Sequence, residues 1–600
     1  MTTPKSRILQ LVKRLEVERE NEYEGEATAW INRDIVPLPP SRRTWGSWSF
    51  VGFWLLTGFN ISGWTTASSL LGLGLNVWQA MVSVVVGYLI VACAVVANGF
   101  VGAEWHVGFP IYNRFVWGVF GSFFPLLMRI LLSLVWYGVQ LVFGGKSVKV
   151  VIGSIWPSFY YLRNTLPPDA GIQTNDLVGI LIFAAMSVPL LTIPPEHFRK
   201  PFLFGSIIMT VTTFAIFTWA LAKEGGGGPL LSHPSQLSGV KPLTEGSQLG
   251  WAMAYGVSST IGGICAGILN QSDYSRFAAY PRAQLVSQML IVPLSNVMIA
   301  LFGIIVTSCA AGFYPDDGLL WAPYDLLRVV QLRGGPGARA ACFFAGCAFV
   351  VSQFGINVAG NAISGGIDLS GLLPKYLNIR RGALLTAALG IAICPWKLLT
   401  GSSAFLTVLS SFAVFLGPLT GVMTSDYLVV RQSKLRLSHL YMPNSGSIYY
   451  FAYGVNFRAL VAWIFGVWPL MPGFVNAVSS NPIGVSIGWT RCYDLAWPLG
   501  FVVSAAVHIF LNKVFAPVGL GQTDEDDVFG TFTERCTKMP SPKATTPIES
   551  VDLFYLLVKS QDWAFRMPVG SYVKKFEGKR AQMVLNLDLS GPDYTRLCVS

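Results

Sequence analysis

Charge is what this sequence is short of. Asp, Glu, Lys and Arg make up 12% of its 600 residues, against roughly 25% in soluble globular proteins. Apolar types reach 52% and mean hydropathy is +0.52. Length alone would suggest about four soluble domains, but so little charge cannot clothe them, and the main solvent is read as the lipid bilayer. High hydrophobicity excludes disorder, and Gly without a period of three excludes collagen. The nine Cys lack framework or metal spacing; Cys93, Cys265, Cys309, Cys342, Cys347 and Cys394 read as small core residues. The five His are scattered, and neither His-Glu-x-x-His nor a phosphate-loop lysine motif occurs. The chain is therefore read as not an enzyme, with no metal and no cofactor. The first 47 residues contain no apolar run before a small-residue site, so no cleaved leader is expected. Lys and Arg exceed Asp and Glu by 42 − 31 = 11, an excess that multispanning proteins place in cytoplasmic loops. No nucleic-acid partner is inferred from it.

What is present is a series of apolar runs. A spanning helix needs about 20 largely uncharged residues, and such runs fall near 48–72, 76–101, 122–144, 175–195, 201–222, 249–271, 283–312, 339–366, 382–400, 402–424, 457–476 and 494–514. About twelve transmembrane helices place both termini on one side. With Lys5, Arg7, Lys13, Arg14, Arg42 and Arg43 cytoplasmic, the loops carrying Lys375, Arg380, Arg381, Arg431 and Lys434 are cytoplasmic too, as the positive-inside rule requires. Residues 1–47 read as a cytoplasmic tail, 48–424 as a ten-helix core, 425–514 as the last two transmembrane helices, and 515–600 as a solvated cytoplasmic tail with a local docking helix at Val551–Val558. Val107–Phe120 is too short to span and is expected in the membrane interface.

Polar side chains inside hydrocarbon are costly and mark cavities or partner helices. In the eighth span, Gln353, Asn357, Asn361, Ser364 and Asp368 recur along one helical face. They serve as cavity lining or as interhelical hydrogen-bonding groups; five on one stripe exceed what packing needs and favour lining. In the third span, Ser133, Trp136 and Gln140 share a face. An indole offers a stacking surface and an amide a paired donor and acceptor, which suits a planar amide-bearing heterocycle, although packing explains the pair equally well. Arg129, nearer the cytoplasmic end, is read as structural. The first and sixth spans are interrupted, the one around Gly58, Asn60 and Gly63, the other around Gly256, Gly262, Gly263 and Gly267. Matched interruptions in two groups of five spans point to an inverted-repeat transporter with its site between the breaks.

These residues carry a resemblance. Asn32-Arg-Asp34, Pro37-Leu-Pro-Pro40, Arg42-Arg-Thr-Trp45, Gly108-Phe-Pro110, Trp136-Tyr-Gly-Val-Gln140, Asn270-Gln-Ser-Asp273-Tyr-Ser-Arg276, Asn361-Ala-Ile-Ser364, Ser425-Asp426-Tyr427 and Gly454-Val-Asn456 occur in order. The chain resembles the nucleobase-cation-symport family, in its fungal branch of uracil, allantoin and uridine permeases, with the bacterial hydantoin transporter more distant. The resemblance implies an all-α polytopic membrane protein with a 5+5 inverted-repeat, LeuT-like core and two extra helices. It implies import of a small heterocyclic substrate by alternating access at the plasma membrane. The Trp and Gln matching Trp136 and Gln140, and the Asn matching Asn361, hold the ring in that family. Asn60 and Asn357 are further substrate-binding candidates, and Asp368, Ser364, Gly262 and Gly263 are coupling or gating candidates. The sixth-span contact has neither an aromatic nor a Lys near Gly262–Cys265, which leaves room for a bulkier substrate or one recognised elsewhere. The hydroxyl pair that serves sodium in the bacterial relative falls here on Gly355 and Ile356, which offer none, so the expected partner ion is the proton. A thiamine or nicotinamide riboside permease, or a non-transporting nutrient sensor, are the alternatives.

Overall fold

The computed structural model describes residues 30–530 except 33, 194–198, 232–245, 281, 480 and 482–483, together with 16 and 17. Lys5, Arg7, Lys13, Arg14 and the expected helix at Val551–Val558 lie outside the described residues. Among the described residues the chain is helical with only two isolated bridges, as expected where lipid forbids unsatisfied backbone groups.

The first span is two helices, α1 (Ser47–Gly58) and α2 (Ile61–Ser69). Gly58 closes on the Ser295 side chain, where a Cβ would clash. Phe59 leaves helical geometry, and Asn60 is extended and caps α2. A capping box at Asn76 starts α3 (Val77–Trp105), which ends at His106 in the left-handed region with φ 54°. Short α4 (Phe109–Trp117) follows, then α5 (Phe123–Ile155), α6 (Thr174–Ser187) and α7 (Arg199–Glu224). The sixth span repeats the interruption: α8 (Ser247–Gly262) stops before Gly263 and Ile264, and α9 (Cys265–Leu269) and α10 (Gln271–Ser275) resume. After α11 (Leu285–Phe313) and α12 (Pro323–Arg333), the eighth span runs as α13 (Pro336–Gly355), a π-helical stretch over Ile356–Ile363, and α14 (Ser364–Leu372). Then come α15 (Ile379–Ala392), α16 (Ser402–Ser425), α17 (Phe457–Val467), α18 (Met471–Val478), α19 (Ile487–Asp494) and α20 (Ala496–Val514).

Nine helices among the described residues are long and apolar enough to cross a bilayer. The two interrupted spans and the 14-residue α15 occupy the other three expected places, a set consistent with twelve. Two packed groups form the core. Helices α1, α2, α3 and α8 pack on α11 or on each other, while α6, α13, α14 and α15 pack on α5; α16 joins α8 and lies along α20.

Several expectations change. The third span extends eleven residues past 144 because its lysines find partners: Lys149 pairs with Asp176 at 2.9 Å and Lys146 sits 5.0 Å over the Tyr324 ring. All nine residues of α4 are buried in protein, not laid in the interface, since its aromatics stack inward, Tyr112 on Phe115 at 5.0 Å, and Arg114 donates to Leu440 O and Trp30 O. Residues 515–530 are largely exposed but touch the bundle at two points: Asp524 accepts from the Ser438 amide and Phe529 packs on Tyr441 at 4.9 Å. Cys93 is exposed, facing away from the packed interior on a lipid-crossing helix, and Cys347 and Cys394 are half-buried.

Candidate functional site

A cavity of about 110 Å³ lies where the interruptions of α1/α2 and α8/α9 meet α5 and the π-helical stretch. Discontinuous helices at corresponding places of two repeats are where transporter sites of this kind form. Trp136 and Gln140 come from α5, Asn361 and Gly360 from the π stretch, Asn60, Ser62 and Gly63 from the first break, and Gly263 and Ile264 from the second.

Hydrogen-bonding capacity in the wall is unevenly spent. Gln140 Nε2 donates to Ser62 Oγ at 2.6 Å, which bridges α5 to α2, while its Oε1 has no protein partner; nor has the Trp136 indole N–H. The Trp136 ring meets Phe412 of α16 at 5.9 Å. Asn361 Nδ2 donates to Asn357 Oδ1 at 3.2 Å. Asn60 also lines the cavity, but its amide is committed to backbone: Oδ1 accepts from Gly63 N at 3.0 Å, and Nδ2 donates to Thr57 O and Gly58 O.

Four of the nine residues singled out from sequence stand outside this wall. The π stretch adds residues per turn, so the periodic stripe of the eighth span does not stay on one face. Asn361 faces the cavity, whereas Asn357 lies behind it, fully buried. Ser364 is turned to Tyr274, whose hydroxyl lies 2.9 Å from its Oγ, and to Asn270 at 2.6 Å. Asp368 is an ion-pair residue beneath the cavity: its Oδ2 accepts from Arg129 Nε at 2.6 Å. Arg129 also lies 3.6 Å from Asp273 and donates to Ser364 O. Arg276, nearby in sequence to Asp273, donates to Asp34 O at 2.7 Å. Gly262 is a packing position, with its α-carbon pressed on the Leu409 carbonyl of α16, while Gly263 does line the cavity.

The wall also contains Tyr274 and Gln271, members of the Asn270–Arg276 landmark to which the sequence assigns no binding role. Tyr274 packs on Phe53 at 4.5 Å and donates to Ala359 O. In the sequence Gln271 stands only as part of the Asn270–Arg276 landmark, with no side-chain role assigned to it. At the sixth-span position, Ile264 lines the cavity. Among the described residues no group of three His, Cys, Asp or Glu is placed to hold a metal.

Residues 37–500 match the family model described as permease for cytosine/purines, uracil, thiamine, allantoin. The chain is 36% identical to the transporter aclS of Aspergillus oryzae, over 87% of this chain and 93% of that one. It is 35% identical to the allantoin permease of Saccharomyces cerevisiae, over 82% and 77% respectively. Among solved structures it is similar to Mhp1, a nucleobase-cation-symport-1 family transporter in a closed conformation with bromovinylhydantoin bound. The TM-score is 0.60 at 21% identity, covering 81% of this chain and 97% of that one, which shows the shared LeuT-like fold. The chain is a multi-pass membrane transporter, not an enzyme, and it belongs to the family of permeases for cytosine/purines, uracil, thiamine and allantoin.

Proposed function

We propose that this chain imports a single-ring, amide-bearing heterocycle of the uracil or allantoin class across the plasma membrane, with both termini cytoplasmic, by proton-coupled alternating access. One observation carries the reading: an indole, Trp136, and two amides, Gln140 and Asn361, line one cavity at two helix breaks, and both the indole N–H and the Gln140 oxygen lack protein partners. The ring stacks on Trp136, the Gln140 oxygen accepts a ring N–H, and Asn361 donates to a ring carbonyl. The volume of about 110 Å³ is well under the roughly 300–1,000 Å³ of drug-sized sites, which favours a nucleobase or ureide over a nucleoside or thiamine. An allantoin permease and a uracil permease, both of Saccharomyces cerevisiae and each at least 34% identical, support the same class. Proton coupling rests on the missing hydroxyls at Gly355 and Ile356 and on the buried acids around Arg129.

The test is uptake of radiolabelled uracil and allantoin at two pH values in cells lacking their own permeases, with uridine, thiamine and nicotinamide riboside as competitors. Concentrative, acid-stimulated uptake that Gln140→Ala or Asn361→Ala abolishes, with both variants at the cell surface, is the expected result. Wild-type label saturating at the protein's copy number identifies a sensor instead, and normal uptake by both variants removes the site.

A further inference from the structure

We propose that Gln271 is a specificity-determining residue of the permease site, reading the edge of the ring that carries adjacent N–H and C=O groups; this rests on the heterocycle reading above. Gln271 is fully buried and lines the cavity, yet neither its Oε1 nor its Nε2 has a hydrogen-bond partner. Leaving a buried amide atom unpaired costs about 1–3 kcal/mol, so an unengaged pair of atoms is not a folding device.

The local structure holds this amide in place without using it. The kink between α9 and α10 falls at Asn270, whose amide, oriented to satisfy both atoms, accepts from Ser364 and Arg129 and donates to Ala266 O and Gly267 O. Gln271 therefore begins a helix anchored by its neighbour. On its other side Gly99 of α3 makes room: a Cβ there would come within 2.9 Å of Gln271 Cγ and would overlap Gln284 Oε1. Gln284 is a second buried amide without a partner, so it does not consume the first. An amide presents one donor beside one acceptor, the complement of a cyclic imide or ureide edge. Sites built this way reject analogues that cannot pair, because the buried amide is then left unsatisfied.

Gln271→Met conserves volume and removes both polar atoms. The full-length variant is compared with wild type for KM and Vmax of uracil and allantoin uptake, with 3-methyluracil, which has lost one ring N–H, as competitor. The expected result is a KM raised roughly tenfold to a hundredfold, the loss of two neutral hydrogen bonds. Surface-normalised Vmax stays unchanged, and preference over 3-methyluracil falls by a similar factor. The melting temperature of the purified variant is expected to hold or rise, since no hydrogen bond is lost. Gln271→Glu, of the same size but lacking the donor, is expected to raise KM as well. Unchanged KM and unchanged preference in both variants overturn the assignment while leaving the permease reading intact. A fall of several degrees in melting temperature, or failure of Gln271→Met to reach the membrane, assigns the amide to folding and likewise overturns it. A wild type that transports neither ring overturns the permease reading and this assignment together.

Discussion

Asn60 shows how one side chain at a helix break can be read two ways. From sequence it is a polar group at the midplane and so a ligand candidate. In the structure its oxygen accepts from the Gly63 amide at 3.0 Å and its nitrogen donates to Thr57 O and Gly58 O, so it ends α1 and starts α2. A cap needs only a short side chain with an acceptor, whereas a substrate contact needs the amide. Asn60→Ser is therefore expected to keep KM within about twofold of wild type, and Asn60→Ala to lower stability by about 1 kcal/mol, the usual value of an N-cap. Uptake kinetics and thermal unfolding of the two variants check this; a large KM rise in Asn60→Ser would return the residue to the binding set. Composition could place Asn60 at a break, but only the direction of its amide tells cap from ligand.

At the scale of the element, the eighth span is where sequence periodicity misleads. A spacing of i, i+4, i+8, i+11 and i+15 describes one face only if every turn is α-helical, and Ile356–Ile363 is not. Gly355 and Gly360 weaken that stretch, but glycine is common in membrane helices and does not announce a π bulge. Asn361 consequently reaches the cavity while Asp368 faces α5. There Arg129 serves Asp368 at 2.6 Å and Asp273 at 3.6 Å, and one oxygen of each acid lacks a hydrogen bond. Arg276, on the other side of Asp273, donates to the Asp34 and Asp273 carbonyls. A proton on Asp368 would remove the ion pair joining α14 to α5 while Arg129 keeps Asp273 as its counter-ion. Asp368→Asn is thus expected to abolish the acid stimulation of uptake. Its stability loss is expected to stay below the 3–5 kcal/mol of a fully orphaned buried charge. Uptake ratios at pH 5 and pH 7.5 decide the matter, and an unchanged ratio removes Asp368 from coupling. The third span was more legible: Trp136 and Gln140 do share the cavity wall, because α5 is α-helical throughout.

At the scale of the whole molecule, what reads in sequence as a polar N-terminal tail is partly a strap. Asn32 donates to Pro374 O at 3.1 Å, Asp34 accepts from the Ile379 amide, and Trp45 exchanges backbone hydrogen bonds with Phe277 and Ala279. These contacts tie the start of α15 and the α10–α11 connection to one end of the bundle. The series of apolar spans was legible because hydrophobic length is a one-dimensional property; the strap was not, because its contacts lie hundreds of residues away. His106 is its pivot. It accepts from the Leu38 amide through its carbonyl, and its Nδ1 lies 3.0 Å from Arg276 O. Burial, then the nearby Arg43, push the imidazole pKa down to about 4. An unfolded chain, with a histidine near 6.5, binds a proton between about 6.5 and about 4 where the folded chain does not. Stability therefore falls as pH drops through that window and is retained above it, by up to an order of 3 kcal/mol for this one group. His106→Asn tolerates the left-handed backbone, keeps a donor for Arg276 O and does not titrate. The expected outcome is a melting temperature in detergent that drops less between pH 7 and pH 4.5 in His106→Asn than in wild type. Equal drops would show that other groups set the acid sensitivity of this end of the molecule, and that the neutral imidazole is not what holds the strap to α3 and α10.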